Sequence, residues 1–95
     1  MLEKLPEGLM IIDGNGVILK CQVNPSIIGS NLFTEVAPYL IHPDFYGVIL
    51  DSLKFDKKNI SIKFEYKINR VSNTLLVDVM TNLKSYETVL DIKYL

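Results

Sequence analysis

The sequence has little of the chemistry on which most metal and catalytic sites depend. Its 95 residues include a single cysteine, a single histidine and no tryptophan. One thiol forms neither an intramolecular disulfide nor a cysteine-based zinc site. Because 10 basic and 11 acidic residues leave a net charge of −1, we expect no nucleic acid to bind through a basic surface.

Long hydrophobic runs are also missing. No uncharged apolar stretch approaches the ~20 residues of a membrane-spanning helix, so we expect no membrane insertion. The N-terminus has neither the basic start nor the apolar core of a signal peptide, and a lone thiol is typical of a reducing compartment. We therefore expect a cytoplasmic protein with one domain over residues 1–95, since a hydrophobic content of 48% suffices for one core.

The apolar residues that are present favour strands over helices. Eleven isoleucines and eight valines stand against one alanine, and β-branched side chains fit a pleated sheet. The turn sequence Asp-Gly-Asn-Gly at residues 13–16 separates two apolar runs at residues 9–12 and 17–21. Glycine and asparagine tolerate the positive φ of a tight antiparallel turn, so this pattern predicts a β-hairpin. Both runs are apolar on both faces, which predicts central strands that are covered on each side.

The hydrophobic period changes in the middle of the chain. Asn31 is a candidate cap for a short helix over residues 32–37, which ends at Pro38 because proline disfavours helix just before it. Pro43 then begins a second helix. The apolar residues of this helix recur every four positions, which predicts packing against another apolar surface. They are Phe45, Ile49 and Leu53.

Strand patterns return in the last third of the chain. Residues 60–69 alternate between apolar and polar, and runs at residues 75–81 and 88–95 follow turns at residues 71–74 and 84–87. The order strand, strand, helix, helix, strand, strand, strand with short turns predicts an α+β fold. In this fold a five-stranded antiparallel sheet carries the two helices, inserted between strands 2 and 3, on one face. A pocket is expected between the sheet and the helices.

Three stretches of this sequence resemble the motifs of one protein family. They read Ile-Gly-Ser-Asn-Leu-Phe-Thr-Glu-Val-Ala-Pro at residues 28–38, Pro-Asp-Phe-Tyr-Gly at residues 43–47 and Phe-Glu-Tyr at residues 64–66. Together with the opening hairpin and the closing three-stranded meander, they resemble a PAS domain, and in particular the photoactive yellow protein branch. The resemblance implies a sensory module with a PAS-type fold.

The resemblance fails at the residues that would hold a chromophore. In photoactive yellow proteins a cysteine after Val-Ala-Pro carries a coumaryl group by a thioester, and here that position is Tyr39. A phenol at neutral pH does not readily form this linkage. The family's tyrosine that holds the chromophore phenolate aligns with Cys21, and nothing replaces its acidic partner. We therefore expect no covalent coumaryl chromophore and no photocycle.

The residues around that position are candidates for a ligand pocket. The candidate set is Cys21, Phe33, Tyr39, His42, Phe45 and Tyr46. His42 is either an axial haem ligand, as in some PAS sensors, or a cap where a helix begins. Cys21 is either a reactive thiol or a small buried residue at a strand end. The aromatic residues either line a cavity or fill the core.

A second candidate site lies on the strands of the meander. Four apolar residues fall opposite the more continuous apolar set of these strands, and an exposed apolar patch marks a partner surface. They are Leu76, Met80, Val89 and Leu95, and they predict a symmetric homodimer. Asp78 and Asp91 fall on the polar positions, where a carboxylate facing solvent or an interface is expected. The sequence has no nucleophile–base, metal or phosphate-loop pattern, so we expect no enzyme.

These patterns lead to one preferred function and two alternatives. The preferred function is a sensory module that responds to a small ligand or partner and relays the response through dimerisation to an effector domain or partner protein. The first alternative is a ligand-free homodimerisation module with a filled core. The second is a haem-binding redox or gas sensor that uses His42. We also expect these residues to belong to a longer sensor or to be a very small adaptor.

Overall fold

The five predicted strands form one antiparallel sheet. The computed structural model describes residues 2–54, 59–82 and 84–95. The strands are β1 (Gly8–Ile12), β2 (Ile18–Cys21), β3 (Asn59–Ile68), β4 (Val71–Asn82) and β5 (Glu87–Tyr94). Their order is β2-β1-β5-β4-β3, so the opening hairpin pairs through β1 with the last strand of the meander. The predicted five-stranded α+β architecture is confirmed.

The segment between β2 and β3 is helical but contains little α-helix. Four single turns come first: Pro25–Ile27, Leu32–Val36, Pro38–Leu40 and Pro43–Gly47. They lead into the seven-residue helix α1 (Val48–Lys54). Three of the four turns begin at a proline. Because proline has no backbone N–H group to donate, it can begin a helical turn but cannot continue a preceding one. Among the described residues, no helix is both long and apolar enough to cross a membrane.

The helix predicted over residues 32–37 is a single wide turn. The amides of Val36 and Ala37 donate to carbonyls five residues earlier, at 3.1 and 2.8 Å, as in a π-helix. The second predicted helix also begins with such a turn and becomes α-helical from Val48 onward. These turns, together with α1, make up the helical segment, residues 25–54, which covers one face of the sheet.

The core lies between this helical segment and the inner face of the sheet. Phe45 and Ile49, from the predicted apolar stripe, are 0% and 2% exposed, whereas Leu50 on the far side of α1 is 43% exposed. Each fully buried apolar side chain contributes about 1.5–3 kcal/mol to folding. The largest fully buried apolar side chains of the sheet are Met10, Ile12, Ile18, Leu75, Val77, Val79, Leu90 and Ile92.

Two expectations about the strands are wrong. β1 is a central strand as predicted, but β2 lies at the edge of the sheet, and Leu9 of β1 is 58% exposed, so β1 is not covered on both faces. The turn between β3 and β4 lies at Asn69 and Arg70, which have φ of 51° and 67°, and residues 71–74 already belong to β4. Two successive positive φ values belong to a two-residue turn whose twist matches that of antiparallel strands.

Candidate functional site

Asn31 links the opening hairpin to the helical segment. Its Oδ1 atom accepts hydrogen bonds from the amides of Phe33 at 2.9 Å and Thr34 at 3.2 Å. Its Nδ2 group donates to the carbonyl of Asn15, in the hairpin turn, at 2.8 Å. Glu35 adds a reciprocal bond, since its Oε1 atom accepts from the Asn31 amide at 3.1 Å. The predicted cap is confirmed, and it holds the Phe33 ring against the hairpin turn.

Aromatic rings pack against one another beneath the helical segment. The centroid of the Phe33 ring lies 4.6 Å from that of Tyr46 and 6.5 Å from that of Phe45. Phe45 lies 5.6 Å from Phe64 of β3, which in turn lies 6.3 Å from Tyr66. The three phenylalanines are each at most 5% exposed. This aromatic row occupies the region between sheet and helices in which the sequence predicted a pocket.

Tyr39 continues the aromatic row toward the N-terminal segment, residues 2–7. Its ring stacks on that of Tyr66, with 4.1 Å between centroids and 12° between planes. The Tyr39 hydroxyl donates to the carbonyl of Leu2 at 2.8 Å, and the Tyr66 hydroxyl donates to the carbonyl of Glu3 at 2.9 Å. The residue that the family resemblance aligns with the chromophore cysteine therefore holds the N-terminal segment against the core.

A third tyrosine, Tyr94 of β5, belongs to the same cluster. Its hydroxyl lies 3.0 Å from that of Tyr66 and accepts a hydrogen bond from the amide of Leu5 at 2.6 Å. Burial raises the pKa of Tyr39 and of Tyr66 to about 12, and it raises the pKa of Tyr94 as well. All three phenols are therefore protonated at neutral pH. Tyr66 falls on the apolar positions of the alternating pattern at residues 60–69, but neither Tyr66 nor Tyr94 was predicted as part of the site.

Cys21 lies in the core at the end of the edge strand β2. Its thiol is free, its side chain is 3% exposed, and the residue pairs with Met10 of β1. This burial supports the interpretation of Cys21 as a small apolar residue. A covalent coumaryl group does not fit these residues, because Tyr39 uses its hydroxyl to bind a backbone carbonyl and the Cys21 sulfur is enclosed.

His42 caps the turn Pro43–Gly47 and borders a surface groove. Its Nδ1 atom accepts a hydrogen bond from the amide of Asp44 at 3.1 Å, and a carboxylate oxygen of Asp44 lies 3.7 Å away. The groove is open to solvent and has a volume of about 310 Å³, at the lower end of the range for ligand pockets. The hydrogen bond from the Asp44 amide supports the interpretation of His42 as a cap where a helix begins. The lining residues are Ile41, His42, Pro43, Tyr46 and Gly47.

The outer face of the sheet, opposite the helical segment, carries a second group of apolar side chains. Ile11, Val89 and Met80 lie side by side on β1, β5 and β4. Met80 is 54% exposed, and Leu9 in the next row is 58% exposed. The predicted interface residues Leu76, Met80 and Val89 are on this face, and Leu95 is 69% exposed just beyond the end of β5.

Leu9 and Ile11 were not predicted as part of the outer face. Every residue from Leu9 to Ile12 is apolar, so hydrophobicity alone does not show which side of β1 is buried. The pairing with β5 distinguishes the two sides, because Leu9 lies beside Asp91. A carboxylate in the middle of β5 was the available signal that this side of the sheet faces solvent or a partner.

Charged residues form two rows across the outer face. Asp78 and Asp91 lie directly opposite each other on β4 and β5, an arrangement of like charges that destabilises a sheet. In the next row, Lys63 and Lys93 flank Leu76. Within the part of the chain that the structure describes, no ion pair joins either aspartate to a cation.

Comparisons with known proteins bear on the fold. No protein-family model and no curated protein matches this sequence. Among solved structures, the chain is similar to the photoactive yellow protein domain of the sensor histidine kinase Ppr from Rhodospirillum centenum, with 23% sequence identity. The match covers 94% of this chain and 92% of that chain, with a TM-score of 0.72. The expected resemblance is confirmed at the level of the fold, which is the PAS-type fold of a photoactive yellow protein domain.

Proposed function

We propose that this chain is a PAS-type sensory module that acts through protein contacts and forms a homodimer across the outer face of its sheet. One observation carries the proposal: the outer face has apolar side chains on three adjacent strands, of which Leu9 on β1 and Met80 on β4 are exposed and Val89 on β5 is half-buried. Ile11, Val89 and Met80 form one row of it, next to Leu9. Apolar residues grouped in this way on a sheet face mark a surface for a partner.

The packing of the interior supports a response to partners over a response to an internal ligand. Phe33, Phe45 and Phe64 are in ring contact beneath the helical segment, and each is at most 5% exposed. Removing such a ring from a packed core costs about 3–5 kcal/mol, so a ligand that displaced one would have to offset that cost. The ligand-free interaction module is therefore the version of the sensory function that we favour.

The similar solved domain belongs to a sensor histidine kinase, in which a sensory domain is part of a signalling protein. We propose that this module likewise acts on an effector domain or a partner protein and carries out no catalysis itself. We propose a cytoplasmic location, on the basis of the single free thiol.

A ligand-binding function is the second candidate, and the groove beside His42 favours it. The groove combines apolar walls with an imidazole whose Nδ1 atom is already used as a helix cap. It would take a small planar molecule that stacks on Tyr46 and meets Nε2 of His42. Purified protein that carries such a ligand would show an absorption or mass signal beyond that of the polypeptide.

The oligomeric state tests the proposed function. We expect wild-type protein to sediment as a dimer, and Met80→Asp and Val89→Asp each to raise the dimer dissociation constant at least about tenfold, because each buries an unpaired carboxylate. Leu50→Asp is the matched control, since Leu50 is 43% exposed on α1, away from the sheet. It should leave the dimer unchanged. Circular dichroism checks that all three variants fold.

Two results would overturn the proposal. One is a wild-type chain that stays monomeric at every concentration tested. The other is a dimer that Leu50→Asp disrupts while Met80→Asp and Val89→Asp do not, because the contact would then lie on the helical side.

A further inference from the structure

The outward residues of β5 form a pattern that is complementary to itself when reversed. Side chains alternate along a strand, so every second residue of β5 shares the outer face, at intervals of about 7 Å. In order, these are Val89, Asp91, Lys93 and, just past the strand, Leu95. They read apolar, acid, base, apolar in one direction and apolar, base, acid, apolar in the other. A second copy that crosses this face in the antiparallel direction therefore brings each acid onto a base.

We propose that two copies of this chain form a twofold dimer in which β5 of one copy lies antiparallel over β5 of the other and Asp91 pairs with the partner's Lys93. This inference rests on the proposed function and adds the direction and register of the interface. A twofold interface makes every contact twice, so Lys93 also meets the partner's Asp91. Val89 then meets the partner's Leu95, which places an apolar contact at each end of the two ion pairs.

The opposite direction is unfavourable for electrostatic reasons. A twofold axis along the strands would set Asp91 against the partner's Asp91 and Lys93 against the partner's Lys93. Like charges brought together in an interface act against binding, so the charges select the antiparallel direction. Two sheets packed face to face keep their strand axes within about 30° of each other, which the antiparallel arrangement satisfies.

The neighbouring strand β4 strengthens the case for a cation from a second copy. Asp78 lies beside Asp91, and its Oδ1 atom accepts a hydrogen bond from the hydroxyl of Ser61 at 2.6 Å. The described part of the same protomer supplies no ion pair for these two carboxylates. In the proposed register, the partner's Lys93 reaches Asp91 and lies next to Asp78, so it relieves the repulsion between them.

Charge reversal tests this register. We expect Asp91→Lys and Lys93→Asp each to raise the dimer dissociation constant at least about tenfold at low salt, since each creates two like-charge contacts. The double variant Asp91→Lys/Lys93→Asp should have a dimer dissociation constant within about threefold of wild type, because the acid and the base have only exchanged places. An equimolar mixture of the two single variants should form a heterodimer. Lys67→Asp, the same charge change at an exposed position elsewhere on this face, is the control and should have little effect.

The outcomes separate this inference from the proposed function. If Asp91→Lys and Lys93→Asp dimerise as tightly as wild type while Met80→Asp does not dimerise, the proposed register is wrong. The dimer across the outer face is then still supported. A double variant as weak as the single variants would also overturn the register. A wild-type monomer would overturn both. Restoration in the double variant and in the mixture supports the register and excludes misfolding of the single variants.

Discussion

Tyr39 and Tyr66 lie face to face, with 4.1 Å between ring centroids and 12° between ring planes. The stack joins the helical segment to β3, and both hydroxyls donate to carbonyls of the N-terminal segment, at Leu2 and Glu3. One pair of rings therefore connects three parts of the molecule. The N-terminal segment is also held by Leu5, which is 2% exposed, and by a hydrogen bond that the Leu2 amide donates to the Val36 carbonyl at 2.8 Å.

We expect the Tyr66 hydroxyl to matter more for stability than that of Tyr39. Tyr66→Phe removes a donor to Glu3 and leaves the Tyr94 hydroxyl without its neighbour, whereas Tyr39→Phe removes one hydrogen bond. The expected loss in the free energy of unfolding is about 1 kcal/mol for Tyr39→Phe and about 1–3 kcal/mol for Tyr66→Phe. Urea denaturation measures both values.

Tyr86→Phe is the matched control, because Tyr86 is 64% exposed in the turn before β5. It should change the free energy of unfolding by less than about 0.5 kcal/mol. Hydrogen exchange adds a local readout, since the amide of Leu5 donates to the Tyr94 hydroxyl and should exchange faster in Tyr66→Phe. Equal stability of all three variants would show that the hydroxyl cluster contributes nothing to folding.

The same cluster predicts a loss of stability in alkali. Burial raises the pKa of Tyr39 and Tyr66 from 10.0 to about 12, so above pH 10 the folded chain holds protons that the unfolded chain has released. The stabilisation is complete below about pH 10 and is lost as the pH rises toward 12. Urea midpoints measured from pH 8 to 12 should fall over that window, and the fall should be smaller in Tyr39→Phe. A fall of the same size in wild type and Tyr39→Phe would contradict the assignment.

Local signals predicted the parts of the fold that depend on neighbouring residues. The Asp-Gly-Asn-Gly turn, the Asn31 cap and the two-residue alternation of β3 each depend on a few residues close in sequence, and each is present in the structure. The turn between β3 and β4 was misplaced, because Val71 to Thr74 looked polar enough for a loop. Asn69, which tolerates positive φ, was the better signal.

The exposure of β1 depends on contacts that are distant in sequence. Leu9 and Ile11 are as apolar as Met10 and Ile12, so the outer side of β1 is revealed only by its pairing with β5. The tyrosine cluster has the same origin. Tyr94 and Leu5 are 89 residues apart, and their contact follows from the placement of β5 beside β1. Neither relationship has a local sequence signature.

Gly16 closes the hairpin turn against Phe33, and we expect it to tolerate no side chain. Its φ is +88°, and a Cβ atom there would lie 2.8 Å from Cδ2 of Phe33 and 3.2 Å from Oδ1 of Asn31. Gly29 is the matched control, because its φ is +91° and a Cβ atom would meet nothing within 4 Å. Both alanine variants carry backbone strain of about 1–3 kcal/mol. Gly16→Ala should cost roughly 1–3 kcal/mol more, from overpacking.

Thermal or urea denaturation of the two glycine variants measures that difference. Because the cost of backbone strain is similar in the two variants, the difference between their free energies of unfolding reports the contact of the new methyl group with Phe33 and Asn31. A second measurement, near-ultraviolet circular dichroism, should change in Gly16→Ala and stay unchanged in Gly29→Ala. Equal losses in both variants would mean that the Phe33 ring moves aside at no cost, and that the hairpin turn does not position the aromatic row.

Thr88 offers a substitution that should stabilise the protein. It lies on β5 between Ile12 and Thr81, it is 0% exposed, and no hydrogen-bond partner for its Oγ1 atom is found among the described residues. A buried hydroxyl without a partner costs about 1–3 kcal/mol, so Thr88→Val, which keeps the branched shape, should raise the free energy of unfolding by about 1 kcal/mol. Thr88→Ser keeps the hydroxyl, loses the methyl group and should be destabilising. Should Thr88→Val instead prove less stable than wild type in urea, the hydroxyl has a partner in solution, and a buried water bound at β5 is then the explanation to test by hydrogen exchange.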